Sequence, residues 1–176
     1  MREPHDTASE NWPDFRGPAG DGVSRATGLP QTWSERQNIR WKTEVPEVGW
    51  SSPVVWGDQV WLTTATDDGR EQFILCYDRE TGKLLLNRRL FVNEKPQRLS
   101  SGSNTYASPS PVIAAGRVFV HFGTFGTACL DTKTLKTLWL RDDVHVEHSV
   151  GPGSSPCLFE DRLSARHGHR RAPRVS

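Results

Sequence analysis

Apolar residues gather in short runs separated by Gly, Asp and Pro, and inside the runs apolar and polar positions alternate with a period of two. In WSSPVVWGDQVWLTTA, residues 50–65, this reads as a strand, a tight turn and a second strand. The same order returns in PSPVIAAGRVFVHFG, residues 109–123, and begins again in SSPCLFEDRL, residues 154–163. Each copy opens with Ser-Pro. An apolar strand follows at Val54 to Trp56, Val112 to Ala114 and Cys157 to Phe159. The predicted turns are Gly57-Asp58, Ala115-Gly116 and Glu160-Asp161.

The second halves repeat as well, since FILCYDRETGKLLLNRRL (Phe73 to Leu90) aligns with GTACLDTKTLKTLWLRDD (Gly126 to Asp143) as strand, turn, strand. Asp78 and Asp131 begin the two turns. Gly82 supplies a cheap positive φ in the first, where the second has Leu135. Trp139 in the last strand corresponds to Leu86, and NIRWKTEV (Asn38 to Val45) places Trp41 in a matching strand ahead of the first full copy. It reads as an orphan outer strand.

Four short strands per copy, with the recurring Pro53, Pro111 and Pro156 spaced by 58 and 45 residues, fit the blade of a β-propeller. A solenoid or sandwich fits less well, because sandwich strands need not echo one another in order. The fold expected is all-β: an incomplete β-propeller of about two four-stranded blades plus the start of a third. Residues 1–37 read as an extended N-terminal segment, 38–163 as the partial propeller and 164–176 as a basic tail, disordered or out of frame.

Composition supports strands over helices: seven Trp, 15 Gly, 12 Pro and one Met in 176 residues. A net charge of +1 gives no general pull toward nucleic acid or anionic lipid. No apolar run approaches a membrane-spanning length, and the opening MREPHDTASENWPDF lacks the apolar core of a signal peptide.

These residues carry a resemblance. The Ser-Pro strand, the second strand, an LD-x-x-TG-like turn and the terminal Trp resemble the quinoprotein-type propeller repeat. ENWPDFRGPAGDGVS, LPQTWSERQNIRWKTEVP and NTYASPSPV are similar to a planctomycete-type bacterial subgroup of PQQ-binding-like β-propeller proteins, over about residues 10–163. The resemblance implies an exported, periplasmic or secreted protein with about seven or eight blades. It also implies, for the catalytic relatives, PQQ with a calcium ion and an Asp base that takes a proton from an alcohol. Such sites need stacking Trp and calcium-ligating Glu, Asn and Asp from several blades, and no such set maps onto this chain. After Leu163 the sequence turns to SARHGHRRAPRVS, which keeps no alternation and reads as a tail translated out of register.

Few residues survive as chemistry. Cys76 and Cys129 stand two residues before the turn Asp, and Cys157 follows Ser-Pro as Val54 and Val112 do, so all three are expected to be free, buried thiols. HVEH (His145 to His148) lies in a connection where an i, i+3 pair shares no face. His121 occupies the place of Thr63 and reads as a semi-exposed polar position. GPAGDG (Gly17 to Gly22) lacks the Lys-Ser/Thr of a phosphate loop and reads as a turn. The pairs Asp67-Asp68 and Asp142-Asp143 read as solvated loop tips.

One constellation remains. Trp50, Ser51, Asn104, Tyr106, Ser108 and His148 lie just upstream of the Ser-Pro starts, in connections that a propeller gathers on one face near its channel. They are the candidate ligand-binding residues, or else they hold the blades in phase. The function expected is a non-catalytic scaffold for a protein or small polar ligand in the cell envelope, with no cofactor and no metal. The alternatives are a fragment of a PQQ-dependent alcohol dehydrogenase-like quinoprotein, and a nucleic-acid binder using the basic tail.

Blades bury their faces only against neighbours, so two blades and a fraction leave sheet edges exposed. The isolated chain should therefore self-associate or precipitate on size exclusion with light scattering. A sharp monomeric peak that melts cooperatively would count against this expectation.

Overall fold

The computed structural model describes residues 11–99, 102, 104–144, 150–160 and 162–165. Its first sheet is an antiparallel meander of β1 (Val54–Trp56), β2 (Gln59–Ala65), β3 (Glu71–Asp78) and β4 (Leu84–Val92). The second repeats it with β5 (Val112–Ala114), β6 (Arg117–His121), β7 (Thr127–Asp131) and β8 (Thr137–Arg141). A third unit holds the hairpin of β9 (Cys157–Phe159) and β10 (Arg162–Ser164). The inner strands follow one another, β1 against β5 and β5 against β9. This is propeller architecture: two four-stranded blades and two strands of a third.

Local chemistry explains the elements. The turn between β5 and β6 puts Ala115 at φ 49° and Gly116 at φ 73°, the paired positive values of a two-residue hairpin loop. In the β3–β4 turn, Asp78 Oδ1 accepts the Thr81 N–H at 2.8 Å and the Thr81 hydroxyl at 2.7 Å. Asp131 repeats this with Thr134 at 2.6 and 2.8 Å. These bonds, the Thr hydroxyl first for Asp78 and the Thr134 N–H first for Asp131, hold both carboxyls below the usual range. Even the β-bulge recurs, between Cys76 and Tyr77 and between Cys129 and Leu130. A 3₁₀ turn at Gly123–Phe125 has no signal in the repeat.

The core is the seam between the blades. Register pairs Val54 with Trp61, Trp61 with Cys76 and Thr63 with Ile74, so these share one face of the first blade. Val118, Val120, Ala128 and Leu130 share the facing side of the second, and with Val54, Trp61, Ile74 and Cys76 they belong to one buried cluster. Phe91 of β4 meets Phe122 edge-on, with centroids 6.0 Å apart, and covers Gly126, where an added Cβ would stand 2.4 Å from the ring.

Polar bonds fix the seam's phase. A residue before proline is held extended, and in the Ser-Pro starts its N–H points toward the next blade. The Ser52 N–H donates to Ser110 Oγ at 2.8 Å, and the Ser110 N–H donates to Ser155 Oγ at 2.9 Å. The same contact is thus made twice, one blade apart. The Thr63 hydroxyl donates to the Pro109 carbonyl at 3.2 Å. Gln59 accepts the Trp61 indole N–H at 3.1 Å and donates to the Thr132 carbonyl at 2.9 Å, satisfying an indole that is wholly buried.

The structure corrects two expectations here. Asn38 to Val45 is not a strand, because among the described residues no other strand lies beside it to pair with. Trp41 nevertheless docks on the β3–β4 turn: its indole donates to the Arg79 carbonyl at 2.8 Å, and a Cβ at Gly82 would fall 2.6 Å from its ring. His121 is not semi-exposed but 5% exposed, with Nδ1 2.8 Å from Thr127 Oγ1, because it lies on the face turned toward the third unit.

Replacing Ser110 with Ala removes the acceptor of the Ser52 N–H from a site only 2% exposed. It should cost about 1–2 kcal/mol in urea unfolding, whereas Ser24→Ala on an exposed loop should stay within about 0.5 kcal/mol.

Candidate functional site

The connections that lead into each Ser-Pro start run side by side. Val48 and Ala65 exchange both backbone bonds, at 3.1 and 2.8 Å, which lays the first connection along the end of β2. Gly49 permits this approach, since a Cβ there would stand 2.5 Å from the Thr63 carbonyl oxygen. The Trp50 N–H then donates to the Ala107 carbonyl at 3.1 Å, joining the first connection to the second. Its side chain is left 59% exposed. Ser51 bonds Thr63 twice, donating to its carbonyl at 3.1 Å and accepting its N–H at 3.0 Å.

The second connection is a hydrogen-bonded knot. Asn104 Oδ1 accepts the Thr105 N–H at 2.9 Å and the Ser108 hydroxyl, while its Nδ2 donates to the Pro152 carbonyl at 3.2 Å. Asn104 thereby ties the second connection to the third. Tyr106 is 8% exposed; its hydroxyl donates to the Gln97 carbonyl at 2.9 Å and its ring packs edge-on against Phe125 at 5.5 Å. Of the six predicted residues, five are therefore placed along one seam, each with a named partner, and His148 lies outside the described residues.

Asn104, Thr105 and Tyr106 also line a pocket of about 230 Å³, together with Val48, Asp67, Arg98 and Leu99. The sequence reading missed Arg98 and the role of Asp67. A signal existed: Pro53 to Asp78 spans 25 residues against 20 from Pro111 to Asp131, and Asp78 to Pro111 spans 33 against 25 from Asp131 to Pro156. The two stretches by which the first copy exceeds the second hold Asp67 and Arg98. Beside Asp67, the Asp68 carboxyl is lowered by the Thr66 hydroxyl and then the Arg70 N–H, as suits a solvated loop tip.

A wider cleft of about 590 Å³ opens on the far face of the second blade, lined by His121, Thr127, Trp139, Arg141 and Leu163. Arg141 holds Asp143 through two bonds, at 3.0 and 2.6 Å. Among the described residues no third-blade turn stands against Trp139, which is 37% exposed and packs on Phe119.

The thiols divide. Cys76 and Cys129 are fully buried, as expected, but Cys157 is exposed, because among the described residues no further blade packs on its face as the second blade packs on that of the equivalent Val54. Burial, and secondarily the Asp78 carboxylate, push Cys76 up to about 12. Burial also raises Cys129, against the effect of Arg117 and with that of Asp131. Since both folded values lie above the ordinary thiol value, these neutral thiols stabilise the fold below that range. That contribution is lost as pH rises through the folded values. No group of three or more His, Cys, Asp or Glu among the described residues is placed to share a metal ion. GPAGDG forms a turn, as expected, closed by the Gly20 N–H on the Gly17 carbonyl at 3.1 Å and followed by bends.

No family model matches the sequence, and no curated protein matches it. Among solved structures it is similar to BamB from Moraxella catarrhalis, at 19% identity and a TM-score of 0.48 over 72% of this chain and 33% of that one. The chain thus spans about a third of that protein's length.

At about pH 8 a disulfide reagent such as DTNB should titrate one fast thiol, with the other two reacting only after denaturation. Cys157→Ser should abolish the fast phase, and a fast phase that persists in that variant would contradict the assignment.

Proposed function

We propose that this chain is part of a non-catalytic β-propeller scaffold that binds protein in the cell envelope, with the Ser-Pro connections as its recognition face. The observation that carries the reading is Trp50: its backbone is pinned to Ala107 while its indole stays 59% exposed. A large aromatic held on a stiff frame loses little entropy on binding, which is why Trp is enriched among the residues that dominate interfaces. Two residues before Trp50, Val48 lines the pocket that carries one acid, Asp67, and one base, Arg98, enough to orient a polar partner group. The envelope location and the quinoprotein-like character of the repeat rest on the sequence resemblance. No helix among the described residues is long and apolar enough to cross a membrane.

A photo-crosslinker at the exposed Val48, two residues from Trp50, should trap a protein partner that the same group at the exposed Leu138 does not. Trp50→Ala should weaken capture about tenfold or more. Equal labelling from both positions would overturn the scaffold reading. So would calcium-dependent uptake of PQQ accompanied by dye-linked alcohol oxidation.

A further inference from the structure

The N-terminal residues Asn11 to Pro13 lie across the inner edges of two blades. Trp12 and Val55 exchange both backbone bonds, Trp12 N–H to the Val55 carbonyl at 2.9 Å and Val55 N–H to the Trp12 carbonyl at 2.8 Å. The preceding Asn11 accepts the Gly57 N–H on its side-chain oxygen at 2.8 Å. The following Pro13 offers only a carbonyl, which accepts the Ile113 N–H of β5 at 2.8 Å. Two strand edges that would otherwise expose unpaired N–H groups are thus capped by one short segment.

Three features make this segment an occupant rather than an integral strand. It pairs at a single residue, and Pro13 has no N–H with which to extend the pairing. It is folded on itself: the Trp12 ring covers Gly17, where an added Cβ would stand 2.8 Å from the ring, and the Gly22 N–H donates to the Arg16 carbonyl at 2.9 Å. It is followed by a stretch in which every residue from 18 to 40 is exposed.

We propose that the inner edges of β1 and β5 form a strand-recognition site, with Asn11–Pro13 as its resident occupant, that accepts in exchange an extended peptide bearing a short polar acceptor, an aromatic residue and a proline in that order. The flanking positions follow from contacts at the site, since the side-chain acceptor serves the Gly57 N–H and the proline ends the pairing; the aromatic follows from the resident segment's own fold, in which the Trp12 ring covers Gly17 while its backbone gives and takes one bond. The site is distinct from the Trp50 face and does not depend on that face binding protein. Treated as a flexible chain once the segment is released, residues 23–40 have a root-mean-square span of about 23 Å, which corresponds to an effective concentration in the millimolar range for the resident segment. A free peptide at micromolar concentration should therefore compete only when the resident contacts are weakened.

The experiment uses the full chain and a fluorescent peptide of the sequence ENWPDFRGPAGDG. Wild-type protein should bind it at least about tenfold more weakly than Trp12→Gly, and a peptide with Gly in place of its Trp should not bind. In wild-type protein, the amides of Val55, Gly57 and Ile113 should exchange with solvent together, at least about tenfold faster than amides paired inside β2 and β3. Exchange of those three only along with β2 and β3 would overturn the proposal, because the segment would then leave only on unfolding. A folded Trp12→Gly chain that binds no peptide would overturn it too. Should that substitution prevent folding, Asn11→Ala, which removes only the Gly57 contact, carries the same expectation and the same consequence.

Discussion

A proline at the start of every blade creates a constraint from which the rest of the arrangement follows. The residue before it is forced extended, and its own N–H has no neighbouring strand to serve. Serine at that position solves the problem across the blade boundary: its N–H is taken by the hydroxyl of the next copy's serine, as Ser52 does with Ser110 and Ser110 with Ser155. Since donor and acceptor sit at the same place in each repeat, the bond specifies a fixed step from one blade to the next. With the step set, Trp61 meets the second blade, Gln59 reaches Thr132, and the connections carrying Trp50 and Asn104 come to lie together.

The connection face combines two kinds of side chain. Ser51, Asn104, Tyr106 and Ser108 spend their polar atoms on neighbouring backbone and on one another. Trp50 does the reverse, with a committed backbone and an uncommitted ring. A rigid floor with one exposed anchor is an economical way to present a recognition surface, because binding need not order the loop that carries the anchor.

Most of the fold was legible in the sequence, for a physical reason. Period-two alternation, Ser-Pro starts and Asp-led turns are local signals, and β1, β5 and β9 fall on the apolar runs that follow Ser-Pro. What acts across the chain was less legible. Nothing in NIRWKTEV reveals that among the described residues no strand lies beside it, and nothing around Cys157 reveals that none of them covers its face. The pocket was hidden differently: Asp67 and Arg98 belong to stretches without a counterpart in the other copy, and aligning repeats directs attention away from unmatched residues.

The turn that follows β3 and its partner that follows β7 differ in a way that reaches beyond either. Gly82 leaves room for the Trp41 ring, whose indole takes the Arg79 carbonyl. At the second seam Leu135 occupies the same left-handed backbone, at φ 58°, and Leu86 replaces the tryptophan; both pack on the shared core, and Gln59 supplies the missing donor to Thr132. A branched side chain in that conformation costs about 1 kcal/mol or more, so packing must outweigh it. The turn of one copy is therefore matched by residues of the copy before it, Leu86 on β4 and Gln59 on β2. What packs as a unit is the joint between copies, and grafting a single copy from one position to another would carry only half of two joints.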